Sequence, residues 1–240
     1  MSPADSKTRI LIHGASGRMG LALLRLASGR ADLDVVAAVT HAQPAQRIVD
    51  GVPHFASREL HGVPRFDVAI DFSLPLGFDT ILALCGERGT ALVSGTTGLE
   101  AVQRDALQQA SARIPVLWAA NFSLGVAVLG ELVERAAKAL PGWDCDIVES
   151  HHVHKKDAPS GTALALGAAA ELGGASPRYA SLRAGDIVGE HFVQLTGLGE
   201  RIELNHRATD RDIFARGALH AATRLPGRAP GLYRLRDLLN

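Results

Sequence analysis

Two cysteines in 240 residues, Cys85 and Cys145, stand far apart and outside any C-x-x-C pattern. That leaves no material for a disulfide framework or a structural zinc site and points to buried free thiols. Net charge is equally scarce, because 25 Lys and Arg balance 25 Asp and Glu, so no overall basic field draws the chain to nucleic acid or anionic lipid. Any anion site must be local. No apolar run approaches the ~20 residues that cross a bilayer, and the opening MSPADSKTRI has no basic stretch followed by an apolar one of the signal-peptide kind. A soluble, cytoplasmic protein with neither nucleic-acid nor membrane partners is expected. Repeats and low-complexity tracts are missing too, and 47% hydrophobic with 21% charged residues excludes disorder, collagen and coiled coil. At about 150 residues per average domain, the length fits one large domain or two modest ones.

What is present is an alternation of short apolar runs and helix-like stretches. The run 9–13 ends at Gly14-Ala15-Ser16-Gly17-Arg18-Met19-Gly20 and leads into a helical pattern at 21–26, which reads as strand, glycine turn, helix. A second strand is predicted at 34–39, where a right-handed βαβ crossover requires it. Further strands at 68–72, 91–94 and 114–118, separated by helices at 78–88 and 99–112, predict a Rossmann-like doubly wound parallel sheet. After Asn121-Phe122-Ser123 the pattern changes. An amphipathic stretch at 125–140, a strand at 144–149, an alanine-rich helix at 162–172 and extended runs at 187–196 and 201–207 suggest a second α+β domain with a mainly antiparallel, half-exposed sheet. The expected division is therefore 1–121 and 122–211, with the tail 212–240 turning helical and packing back on the first domain.

The spacing G-x-x-G-x-x-G differs from the usual G-x-G-x-x-G but performs the same task. Glycines let the backbone turn after the strand and approach a pyrophosphate, and the helix N-terminus aims its N–H groups at the phosphates. The first domain is thus a dinucleotide-binding candidate. An acidic residue is expected ~20 positions on to hold the ribose of NAD, yet that strand ends Val39-Thr40-His41. With neither a carboxylate nor an arginine there, and Arg18 in the loop within reach of a 2′-phosphate, NADPH and NADH both stay open as cofactors. Asp71-Phe72-Ser73 and Gly95-Thr96-Thr97-Gly98 follow the next strands, where open α/β sheets bind ligands. The second of these is either a wall of the nicotinamide pocket or a turn closed by its own threonine hydroxyls.

The densest chemistry lies in Glu149-Ser150-His151-His152-Val153-His154-Lys155-Lys156-Asp157-Ala158-Pro159-Ser160-Gly161-Thr162-Ala163. His151, His152 and His154 lack the i, i+4 spacing of a helical zinc pair and no cysteine joins them, so no metal is expected. A solvated polar loop is the plain alternative. The chemical one is an anion pocket: Ser160-Gly161-Thr162 opens a helix and offers N–H and hydroxyl groups to a carboxylate, while Lys155 and the histidines supply positive charge. Proton donation falls to a histidine, which titrates near neutrality, or to a lysine whose usual value of ~10.4 drops among other cations.

Together, Gly14 to Gly20, Gly95-Thr96-Thr97-Gly98, Asn121-Phe122-Ser123 and the string from His151 to Ala163 resemble the 4-hydroxy-tetrahydrodipicolinate (dihydrodipicolinate) reductase family of lysine synthesis. Arg183-Ala184-Gly185-Asp186-Ile187-Val188-Gly189-Glu190-His191 is similar to that family as well, so the resemblance spans nearly the whole chain. It implies a two-domain homotetramer in which NAD(P)H on the glycine loop reduces a cyclic dicarboxylate to tetrahydrodipicolinate, and in which the second domain binds substrate and builds the oligomer. It further implies His151 as acid–base catalyst and Lys155 as proton donor, with His152, Ser160, Gly161, Thr162 and Thr97 on the substrate carboxylates. The cofactor would meet Gly14, Ala15, Ser16, Gly17, Arg18, Met19, Gly20, Thr40, His41, Phe72, Ser73, Gly95, Thr96, Thr97, Ala120, Asn121 and Phe122. The chain departs from the family pattern at Thr40 and His41, where many members carry an acid and an arginine, at Leu74 and Val153 in place of basic residues, and at Ala127 in place of asparagine. Rival classes are another amino-acid dehydrogenase sharing the first domain and a nucleotide sensor without catalysis. A sensor has no need of an acid–base pair beside an anion pocket, and an amino-acid dehydrogenase has no reason to match the string from Asp157 to Ala163.

Overall fold

A computed structural model describes residues 7–239. Strand β1 (Thr8–His13) buries Ile10, Leu11 and Ile12 completely, as a strand covered on both faces must. The glycine turn leads to α1 (Arg18–Ala27), and β2 (Leu33–Thr40) returns parallel to β1. A small hairpin of β3 (Ile48–Val49) and β4 (Val52–Ala56) follows, then β5 (Val68–Asp71), α2 (Pro75–Arg88), β6 (Ala91–Ser94), α3 (Ala101–Ser111) and β7 (Pro115–Trp118). Helix α2 has sharp ends for local reasons: Pro75 sits in its first turn, where no N–H is needed, and Gly89 closes it in the left-handed region at φ 64°.

The chain divides into two compact units, one built from the chain up to Phe122 and again from Phe214 onward, the other from Ser123–Ile213. In the first unit the strand order is β12-β7-β6-β5-β1-β2-β4-β3, where β12 is the late strand Gly231–Tyr233. The order reverses between β1 and β5, and this opens a crevice at the carboxyl ends of those strands. Its core holds Phe78, Ile81 and Leu84 of α2 against Leu11, Ala69 and Leu92 of the sheet.

The second unit contains α4 (Leu124–Ala139), β8 (Asp144–His151), α5 (Gly161–Leu172), β9 (Pro177–Arg183), β10 (Gly189–Gly197) and β11 (Glu200–Ala208). Its sheet runs β11-β10-β8-β9. Period-two burial along β8 and β10 turns Cys145, Ile147, Val193 and Leu195 toward Leu129 and Val133 of α4 and Leu166 and Ala170 of α5. The polar residues of these strands on the other face are only half-buried, and neither helix lies there.

One expectation needs correction. The tail is helical in α6 (Asp212–Arg224) and in one 3-10 turn at Leu235–Leu238; between them Pro226, Gly227 and Pro230 end the helix, and β12 adds to β7 in parallel as an edge strand. The second sheet is mainly antiparallel, as expected: β10 is antiparallel to both its neighbours, and β9 pairs with β8 in parallel. The β3–β4 hairpin had a signal that was passed over: Asp50 and Gly51 at φ 50° and 80° form the two-residue turn that Asp-Gly favours.

Candidate active site in two half-sites

The first half-site lies at the carboxyl ends of the parallel strands. Gly14 has φ 81°, and a Cβ there would stand 2.6 Å from the Phe72 carbonyl; one on Gly20 would strike the Gly14 carbonyl. Only glycine permits this close crossing. The loop is anchored by Gly14 and Ala15 N–H groups donating to Val39 O at 3.0 and 2.9 Å, and closed by Gly17 N–H donating to Gly14 O at 3.0 Å. Leu21 is the first N–H of α1 to find an acceptor at Gly17 O, so those of Arg18, Met19 and Gly20 have none within the helix. With the positive end of the helix dipole, they form a cradle that fits a pyrophosphate.

The remaining residues expected there fall on neighbouring loops of the same edge. Thr40 and His41 end β2; Phe72 and Ser73 follow β5; Gly95, Thr96 and Thr97 follow β6; Ala120, Asn121 and Phe122 follow β7. Their exposure sorts them. Ser16, Arg18, His41, Thr97 and Ala120 face solvent, whereas Ala15, Thr96 and Phe122 are buried. The Phe72 and Phe122 rings pack at 5.3 Å, so Phe122 supports the loop from within. Thr40 turns its hydroxyl into its own loop, donating to Ala42 O at 2.7 Å. Beside it, Ser57 Oγ donates to His41 O at 2.9 Å, and Arg58 bonds Gln43 at 2.6 Å. Arg58 is thus a cation near the end of β2 that lies too far along the chain for the fingerprint to include it.

The second half-site is built on one row of the four-stranded sheet. Pairing aligns Ser181, Glu149, His191 and His206 across β9, β8, β10 and β11. Glu149 has no exposed surface. Arg183 grips its two oxygens at 2.8 and 2.9 Å, the Ser160 N–H donates to it at 3.2 Å, and His151 Nδ1 donates at 2.5 Å. Burial alone would raise this carboxyl, but hydrogen bonds from Arg183, Ser181 and His151 hold it down at about 2. Arg183 also donates to the carbonyls of Lys155 and Asp157, clamping the loop that carries the lysine.

His151 is the last residue of β8 and buried, not part of a solvated loop. Burial lowers its pKa, with Glu149 pulling the other way and Lys155 and Arg183 adding to the fall. Because Glu149 takes the Nδ1 proton, Nε2 is the nitrogen left for chemistry. His191 stands edge-on at 5.3 Å, and burial followed by repulsion from His151 and His206 pushes it to about 4. Ser160 caps α5 by accepting from Ala163 N–H, and its hydroxyl meets His191 Nε2 at 3.2 Å. Its serine oxygen is therefore committed to structure, while Gly161 is exposed and Thr162 half-buried at the helix mouth. Lys155 pairs with Asp157 at 2.8 Å, and His152 is half-buried nearby in the chain. Thr97, grouped with these residues by resemblance, belongs to the first unit.

Against known families, residues 8–122 match the model described as dihydrodipicolinate reductase, N-terminus, and 125–239 match dihydrodipicolinate reductase, C-terminus. The chain belongs to the dihydrodipicolinate reductase family. Among its relatives, the 4-hydroxy-tetrahydrodipicolinate reductase of Stenotrophomonas maltophilia strain K279a is 75% identical over 232 residues, covering 96% of this chain and 97% of that protein. That of Xylella fastidiosa strain 9a5c is 66% identical over 235 residues, with 98% and 99% covered. A dihydrodipicolinate reductase from Paenisporosarcina sp. TG-14 shares the fold at a TM-score of 0.82 and 21% identity, over 98% of this chain and 100% of that one. The C. glutamicum DAP dehydrogenase is more distant, at TM-score 0.62 and 13% identity over 97% and 94% of the two chains. As a dihydrodipicolinate reductase family member the chain is an NAD(P)H-dependent oxidoreductase, which agrees with the fit of the glycine cradle. Glu149, Arg183, His191 and His206 are the residues that motif reading left without a role. For Glu149 the signal was present in the alternation of β8, which puts it and His151 at core-facing positions where apolar residues are the rule.

Proposed function

We propose that the first unit holds NAD(P)H and the second holds the dicarboxylate, with His151 and Lys155 managing the proton. The chain reduces 4-hydroxy-tetrahydrodipicolinate to tetrahydrodipicolinate in the diaminopimelate route to lysine. The two compounds differ by a hydroxyl exchanged for hydrogen. One hydride and one proton are therefore consumed, and a water leaves.

NAD(P)H supplies the hydride when bound. Everything else falls to this chain's residues. Gly161 and Thr162 at the mouth of α5, with His152, hold one substrate carboxylate, and the helix dipole favours its charge. Lys155 can donate a proton while one of its N–H groups stays on Asp157, and His151 offers Nε2 as the acid–base group that the departing hydroxyl requires. The buried Glu149–His151 pair carries this reading, because a solvated or merely structural loop has no use for an imidazole locked into one tautomer. The dipicolinate bound to the Paenisporosarcina reductase agrees with a planar dicarboxylate ligand. The direct test supplies freshly made product of the preceding synthase with NADH or NADPH and follows the loss of reduced-nicotinamide absorbance. Oxidation must depend on that product.

Both cofactors should work within about tenfold in kcat/KM, a difference of roughly 1.4 kcal/mol. His41→Asp places a carboxylate at the ribose corner and should lower kcat/KM for NADPH at least tenfold while sparing NADH. Retained NADPH efficiency would move the 2′-phosphate to Arg18 or Arg58.

The sheet face that α4 and α5 leave uncovered carries Val148, Phe192, Ala180 and Leu182, and a homotetramer assembled through it is the oligomer this reading favours. Sedimentation equilibrium giving a monomer would rule it out. A cytoplasmic location suits the two buried free thiols.

A further inference from the structure

We propose that Asp71 is a positioning residue for the dinucleotide, a buried post to which the loops after β1, β5 and β6 are all tied. The inference rests on assigning NAD(P)H to the first unit. Asp71 ends β5 without exposed surface. Its Oδ1 accepts from His13 Nδ1 at 2.9 Å and from the Ser73 N–H at 3.2 Å, and its Oδ2 accepts from the Ser94 and Thr96 hydroxyls, each at 2.7 Å. His13 directly precedes the glycine loop, Ser73 lies between β5 and α2, and Thr96 lies in the turn after β6. Thr96 Oγ1 also reaches the Ser73 carbonyl at 3.3 Å, linking two of the loops to each other. Backbone bonds run the same way, from Phe72 N–H to His13 O at 3.1 Å and from Gly95 N–H to Asp71 O at 2.8 Å.

Burial should raise this carboxyl, yet its bonds to His13, Ser73 and Thr96 outweigh burial and keep it below the ordinary range. A buried carboxylate with all its lone pairs engaged is rigid, and removing it strands donors on three loops at once. Asp71 is not a group that reacts. Its effect on a bound dinucleotide passes through Gly14, Ser73 and Thr96, whose backbones must be placed to a fraction of an ångström to receive phosphates and the nicotinamide.

Substitution separates this role from bulk stability. Asp71→Ala should raise the dissociation constants of NADH and NADPH, measured by nucleotide fluorescence, at least tenfold, and leave that of pyridine-2,6-dicarboxylate within about threefold by calorimetry. Asp71→Asn should restore cofactor affinity to within about threefold of the parent, because hydroxyls can rotate to accept from an amide while the amide oxygen keeps His13 and Ser73. Thr96→Val cuts the β6 tie alone and should weaken both cofactors about three- to tenfold; if Asp71→Ala does not fold, this variant decides. Cofactor affinities unchanged in the folded variants would overturn the proposal. Failure of the unsubstituted protein to bind either nucleotide would instead overturn the assignment of the first unit.

Discussion

Lys155→Ala is expected to lower kcat by ~10²–10⁴-fold while KM for the dicarboxylate moves much less. A proton donor acts as charge shifts in the transition state, so its removal leaves ground-state binding largely in place. His151→Ala should follow the same pattern. Thr162→Ala should not, because a carboxylate anchor at the mouth of α5 holds the substrate before and during the reaction, and its loss should raise KM at least as much as it lowers kcat. Steady-state kinetics of the three variants, with circular dichroism to confirm folding, provides the comparison. A Lys155→Ala protein with near-normal kcat and poor affinity would make the lysine an anchor and leave proton donation to His151 or water.

Glu149→Gln should cost both activity and stability. The carboxylate receives two donors from Arg183, one from His151 and one from the Ser160 backbone. An amide cannot accept on both sides, so in either orientation its NH₂ confronts a guanidinium N–H. With the NH₂ toward His151, the imidazole must present Nδ1 as acceptor and carry its proton on Nε2, the wrong tautomer for taking one up. A fall in kcat of about 10²-fold or more is expected, together with a loss of stability, because Arg183 keeps its carbonyl partners but loses one of its two carboxylate contacts. The acid limb offers a second signature. Glu149 sits at about 2 in the fold against an ordinary 4.5, so its contribution, on the order of 3 kcal/mol, is complete above about pH 4.5 and drains away as pH falls toward 2. Denaturant unfolding between pH 6 and 3 should show the parent losing stability over a range where the variant loses less. Parallel curves would show that Glu149 is not the group responsible.

The glycine loop was legible because its pattern is local: strand, turn and helix N-terminus lie within residues 8–27. The anion mouth at Ser160 was legible for the same reason. Arg183 was not, since its partner Glu149 lies 34 residues earlier and the two meet only through the register of β8 with β9. Strand β9 itself hides in the sequence, as five of its seven residues are exposed and no apolar period marks it. Asp71 stood in a motif that the sequence did flag, but its task depends on His13 and Ser94, which become neighbours only when β1, β5 and β6 lie side by side.

The placement of β12 also makes the sheet of the first unit depend on residues made late in synthesis. Residues 123–213 are contiguous in the chain, whereas the sheet of the first unit is completed only by Gly231–Tyr233, which cover the outer edge of β7. Without β12, β7 is an open edge carrying Val116 and Leu117, a template for pairing with another chain. A message truncated just after α6 would therefore yield a chain with its chemical groups intact and an unsealed sheet, prone to aggregate before it ever meets a dinucleotide.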